Sequence, residues 1–163
     1  MDKILVFDDR LQVRVSLKDK FERQGIEVCT CKSVDEAFDI WDKEHTEIDA
    51  IVLDLMIPSY GISPMHRNAT NMGQLTGWIW LWHELNPNNE EKHPAADKFI
   101  VIYSAYLSTL EAYINSKPEN TAEKQFFASA KQFPKGDNKK ESEVVELIVK
   151  ELNAKKFSNS TFC

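Results

Sequence analysis

Three short stretches of this chain hold apolar residues in nearly unbroken runs: KILVF at 3–7, DAIVLDL at 49–55 and KFIVIYS at 98–104. Continuous apolar runs of this length suit strands covered on both faces, and sheets covered on both faces are built from parallel strands. Parallel neighbours need crossovers, and the intervening sequence supplies helices. Val13, Leu17 and Phe21 recur every four residues, with Gly25 as a stop. Ser33 and Glu36 form a capping-box signal ahead of Ala37, Ile40 and Trp41. Between these two helices IEVCT at 26–30 alternates as a further strand.

Beyond the third strand, residues 59–77 carry glycines, a proline and no sustained period, so a long loop is expected there. WIWLWHEL at 78–85 reads as an apolar helix, and PNNEEKHP at 87–94 as a polar connection. Helices are expected over 107–117 and 120–130, a short fifth strand at 131–135, and an amphipathic helix at 142–152 presenting Val145, Ile148, Val149 and Leu152. Strand and helix in alternation predict a doubly wound parallel sheet with helices on both faces. The expected organisation is one domain over 1–153, interrupted by an inserted loop at 59–76 and followed by a flexible tail at 154–163.

Composition narrows the classes. A formal net charge of −6 argues against a dedicated nucleic-acid binder. No apolar run approaches the ~20 residues that span a bilayer, and the N-terminus lacks a signal-peptide pattern. Cys29 and Cys31 sit two apart on the second strand and Cys163 ends the chain. Three thiols make no disulfide framework, and Cys29 with Cys31 lacks a second ligand pair for a metal; a reducing, cytoplasmic setting is expected.

In open parallel sheets ligands bind beyond the carboxyl ends of the strands. The first strand ends on Asp8 and Asp9, the third on Asp54, the fourth on Ser104 and the fifth on Lys135. A single acid in such a place is ordinarily a solvated loop residue or a helix cap. Three acids meeting on one rim would raise each other's pKa values, and a small hard cation such as Mg²⁺, together with a lysine, relieves that repulsion.

These residues carry a resemblance. ILVFDDR, IVLDLMIP, VIYSA and FPKG resemble the four signatures of the response regulator receiver domain of two-component signalling, across roughly residues 2–153. The resemblance implies a flavodoxin-like α/β fold with a five-stranded parallel sheet. It implies Asp54 as phospho-acceptor and Mg²⁺ held by Asp9, by Asp8 directly or through water, by Asp54, and by the backbone carbonyl of Met56. Ser104 and Lys135 would contact the phosphoryl group. The donor would be a histidine kinase or a histidine phosphotransfer protein and the output a contact with another protein, with no nucleic acid and no membrane involved. A homodimer through the last helix is compatible with this. Beyond accepting the phosphoryl group and losing it again, no enzymatic activity is implied.

The chain also departs from the family. Pro58 and Gly77 enclose eighteen residues where the family has only a few. His66 and Arg67 lie in that insertion. Trp78, Trp80 and Trp82 cannot all face one side of a regular helix, so at least one is expected to be covered by the insertion or by another chain. Lys131 competes with Lys135 as the site lysine. Gly136 stands where a proline is usual, and Gln132 where an aromatic switch residue is usual; Tyr103, Tyr106 and Phe133 are the substitutes to examine. The competing readings are a receiver-like interaction module that acts without phosphorylation, and a Mg²⁺-dependent phosphohydrolase. The latter usually spaces its two aspartates one residue apart, whereas Asp8 and Asp9 are adjacent.

Overall fold

A computed structural model describes residues 2–160 except Asn89 and Glu91. Five parallel strands form one sheet in the order β2-β1-β3-β4-β5. They are β1 (Lys3–Phe7), β2 (Glu27–Cys31), β3 (Ala50–Leu53), β4 (Phe99–Ser104) and β5 (Lys131–Pro134). Side chains alternate between the two faces, which is why continuous apolar runs are needed. Leu5, Phe7, Ile51, Leu53, Ile100 and Ile102 enter one core; Ile4, Val6, Val52, Val101 and Tyr103 enter the other.

Helices α1 (Leu11–Glu22) and α7 (Asn138–Ser160) cover the second face through Val13, Leu17 and Phe21 and through Val144, Val145, Ile148 and Leu152. The opposite face is covered by α2 (Val34–Glu44), the single turn α3 (Pro64–Arg67), α4 (Thr76–Ile79), α5 (Leu107–Asn115) and α6 (Ala122–Ser129), or by residues next to them. The Ser33 hydroxyl accepts from Glu36 N at 3.3 Å, and the Glu36 carboxylate accepts from Lys32 N at 3.0 Å. The first bond is the Ser33 cap expected for α2; the second reaches the residue before the cap, not the Ser33 N–H of a full capping box. Gly25 ends α1 at φ 75°, a left-handed conformation that costs glycine little.

Three sequence expectations need correction. The 59–76 insertion is not structureless: α3 and a 3₁₀ turn at Asn68–Thr70 lie inside it. Ser63 preceding Pro64 at the first helical position was the available signal for that turn. The last helix continues past the expected boundary at 153 to Ser160, where Lys156 pairs with Asp2 at 2.7 Å; Cys163 lies outside the described residues.

The third correction concerns the tryptophans. After α4 the chain widens into a π-turn over Trp80–Glu84, with Leu85 N donating to Trp80 O at 3.1 Å. Trp80 is fully buried against Phe7, with ring centroids 5.2 Å apart, and against Trp41 at 6.3 Å. Trp78 is fully buried on the other side, against Phe127 of α6 at 5.6 Å, and its Nε1–H donates to Glu123 at 2.9 Å. Trp82 stacks on His93 at 5.0 Å and meets Phe126 at 5.3 Å. The ring contacts on Trp78 and Trp82 come from α6, in the long β4–β5 connection, and from His93, not from the 59–76 insertion.

Candidate functional site: an acidic cleft at the carboxyl rim

Each rim residue is held by the last rung of a strand ladder. Asp8 N donates to Cys31 O at 3.1 Å, Asp54 N to Phe7 O at 2.8 Å, and Lys135 N to Ser104 O at 3.1 Å. The pairings that order the strands therefore also set the positions of the charges beyond them. A glycine completes the scaffold. A Cβ on Gly77 would lie 1.9 Å from the carbonyl oxygen of Asp54, and Gly77 N donates to Leu55 O at 3.1 Å. Only a residue without a side chain lets α4 start against the backbone of Asp54.

Asp8 and Asp54 are buried, at 2% and 5% exposure, while Asp9 is exposed at the lip. One oxygen of each buried carboxylate accepts a backbone N–H, Asp8 from Arg10 at 2.9 Å and Asp54 from Met56 at 3.3 Å. The second oxygens share the Lys135 ammonium, which lies 2.6 Å from Asp8 and in contact with Asp54. Burial, and next the charge of Asp54, push the Asp8 carboxyl above the ordinary carboxylate range, against the opposing pull of Lys135. The fully buried Ser104 hydroxyl accepts from Leu55 N at 3.4 Å and Tyr106 N at 3.2 Å.

Ligand oxygens of Asp8, Asp9 and Asp54 lie within 4.8 Å of one another. Three hard carboxylates around a single ammonium fit a small divalent cation in chemistry and in charge. Asp9, Arg10, Asp54, Met56, Ala105, Tyr106 and Lys135 line the cleft above them, about 300 Å³ in volume. A neighbouring cleft of about 310 Å³ shares Asp9 and Met56 and is walled by Pro58 and by Tyr60, Met72 and Gly73 of the insertion.

No family model matches the chain. A curated relative, the "Probable transcriptional regulator ycf27" of Cyanophora paradoxa, is 38% identical over 73 residues, 43% of this chain. The match spans only 30% of that relative's length. Solved structures align over far more. The chemotaxis response regulator CheY4 of Vibrio cholerae superposes at a TM-score of 0.57 with 16% identity, covering 91% of this chain and 98% of that one. A response regulator receiver domain protein from Clostridium thermocellum gives 0.57 with 19% identity over 96% and 98% of the two chains. A CheY-like receiver domain protein from Methanospirillum hungatei gives 0.57 with 17% identity over 97% and 98%. The chain has the fold of a response regulator receiver domain.

Within this receiver fold the other candidates separate. Lys131 opens β5, opposite Val101 and at the far end of the strand from the rim, and its side chain is exposed. Tyr103 is buried on the α1/α7 face beside Phe133, its β5 partner, and its hydroxyl accepts from Gly136 N at 3.3 Å. A proline at 136 would delete that donor. Tyr106 lines the acidic cleft and packs on the opposite core. Gln132 pairs with Ile102 and is half-buried. His66 does not line the acidic cleft; its Nδ1 lies 2.6 Å from Glu84. Arg67 donates to Ile62 O at 3.2 Å.

At the opposite rim Glu27, Cys29 and Glu44 also converge closely enough to surround an ion. Lys3 already occupies that place, 2.8 Å from Glu27 and 2.7 Å from Glu44. Cys29 donates to Glu44 at 3.2 Å, and burial followed by that bond pushes its thiol up to about 11. Sequence reasoning missed this cluster because its two acids come from separate elements, β2 and α2, with no shared motif.

Proposed function

We propose that this chain is a response regulator receiver that accepts a phosphoryl group on Asp54. The observation that carries the reading is the Lys135 ammonium lying between the buried carboxylates of Asp8 and Asp54, with Asp9 and Ser104 at the same rim. The Asp54 oxygen forms a bond to phosphorus as the P–N bond of a phosphohistidine breaks, and the electron pair leaves with the imidazole of the donor. Phosphoryl transfer of this kind depends on alignment and charge neutralisation more than on covalent help from the protein. Lys135 follows the charge from the carboxylate to the new phosphoryl oxygens. Ser104 donates its hydroxyl to one of them. Asp8, Asp9, Asp54 and the Met56 carbonyl would hold Mg²⁺, which offsets charge on the equatorial oxygens when bound.

The donor in this reading is a histidine kinase or a histidine phosphotransfer protein, and the output is a protein contact. In this reading the receiver runs from the first strand through the last helix, with 59–76 as an inserted segment, and the setting is cytoplasmic. No described helix is long and apolar enough to cross a membrane. Incubation with acetyl phosphate and Mg²⁺ tests the reading by intact mass. The wild type gains one phosphoryl group and Asp54→Ala gains none. A phosphorylation-independent interaction module is the second reading, favoured by the 59–76 insertion and by Gln132 at the usual aromatic switch position; it is supported if no donor produces an adduct.

A further inference from the structure

The two long connections that flank the acidic cleft, 54–75 and 105–130, meet in a half-buried polar network that phosphoryl transfer does not use. From the insertion, the Ser63 hydroxyl donates to Glu84 at 2.6 Å and Ser63 N donates to the same oxygen at 3.3 Å. His66 Nδ1 lies 2.6 Å from that oxygen as well. From the other connection, the Tyr113 hydroxyl lies 3.2 Å from His83 Nε2. Glu123 accepts from Trp78 at 2.9 Å and pairs with Lys117 at 3.6 Å, and Lys117 lies 4.1 Å above the Tyr113 ring. The halves join where the rings of His66 and His83 approach to 4.9 Å between centroids.

We propose that this histidine pair is a proton-operated latch, closed while His83 is neutral and opened when His83 takes a proton, releasing the 59–76 segment from the π-turn. Of the groups facing His83, Lys117 and His66 oppose a proton there, while Glu123 and Glu84 favour one. Glu84 already accepts from the Ser63 hydroxyl and N–H on one carboxylate oxygen, which also lies 2.6 Å from His66 Nδ1. Glu123 is engaged by Trp78 and Lys117 and stands 3.9 Å from His83, beyond a hydrogen bond. Lys117 repels a second cation. Burial likewise holds the His83 pKa below its ordinary value, with Glu123 as the main opposing influence. The closed latch thus disfavours the proton, whereas a solvated His83 takes it at about pH 6.5. Because Tyr60, Met72 and Gly73 wall the cleft that shares Asp9 and Met56, release changes access to the acidic rim.

Hydrogen exchange of peptides within 59–72, expressed as protection after correction for intrinsic rates, reads the latch directly. Protection falls roughly tenfold from about pH 7.5 to about pH 5.5, the ratio for one imidazole free to ionise only when released. His83→Gln, which keeps a hydrogen-bonding group but cannot take a proton, abolishes that step while β1 and β3 stay protected. Equal protection at both pH values in the wild type overturns the latch, as does a His83→Gln protein with the wild-type step. If His83→Gln does not fold, the imidazole proton shift of wild-type His83 decides: an ordinary titration near pH 6.5 in the folded protein overturns the proposal, and a neutral ring down to pH 5.5 supports it.

Discussion

The two ends of the sheet carry the same charges in opposite circumstances. At the amino end, Lys3 meets Glu27, Glu44 and Glu47 at 2.8, 2.7 and 3.1 Å; at the carboxyl end Lys135 meets Asp8 and Asp54, with Asp9 beside them. The side chains of the three glutamates are 46%, 31% and 65% exposed, whereas those of Asp8 and Asp54 are 3% and 5% exposed. Hydration changes the sign of the outcome. Glu44 is held below its usual range by Lys3, and Lys3 is held above its own by Glu27 and then Glu44. Asp8 moves the other way, because burial and Asp54 outweigh the lysine. One cluster is a satisfied pin between strand and helix. The other keeps unrelieved negative charge, which is the condition for binding a cation.

Substitutions break that comparison at different depths. The largest effect is expected from Gly77→Val, whose side chain meets the Asp54 carbonyl oxygen with no flexible neighbour to yield. It costs ~3 kcal/mol or more or prevents folding, measured by denaturant titration. Next comes Lys135→Met, which leaves two buried carboxylates without their cation and costs roughly 3–5 kcal/mol. Millimolar Mg²⁺ recovers part of that loss, because a divalent ion substitutes for the ammonium. Lys3→Met lowers the melting temperature less and gains nothing from Mg²⁺, since its glutamates stay hydrated. Equal Mg²⁺ responses in the two variants would erase the distinction drawn between the rims.

The smallest effect, and the most diagnostic in sign, is expected from Asp8→Asn. A raised folded pKa means the folded protein keeps this proton to higher pH than the unfolded chain does. The ionised group therefore opposes folding at neutral pH, and its adverse contribution disappears once the pH falls below the ordinary carboxylate range. Asp8→Asn should raise the melting temperature by roughly 2–4 °C at pH 7 without Mg²⁺, the shift that about 1 kcal/mol produces in a domain of this size. The gain should vanish in acid and the Mg²⁺ response should fall. A destabilised variant at pH 7 would show that the Lys135 bond to Asp8 outweighs its burial.

The unbroken apolar runs were sufficient to locate β1, β3 and β4, because a strand covered on both faces has no polar position to interrupt it. The rim was legible for a related reason. Asp8 and Asp54 follow directly on such runs, so their place in the ladder follows from where the strands stop. The π-turn was not legible, since its wider hydrogen bonding has no sequence period of its own. Nor was the covering of Trp78 and Trp82, which depends on Phe126, Phe127 and His93 arriving from elsewhere in the chain.

By itself, then, the sequence determined the alternation of strands and helices and the acids at the strand ends. These are local properties, set by side-chain period and by where the apolar runs stop. Tertiary structure decided which lysine lies between the carboxylates, which acid cluster is buried, and that two distant connections meet at a pair of histidines. Those outcomes depend on desolvation and on distances between segments far apart in the chain, and neither quantity exists until the sheet has assembled.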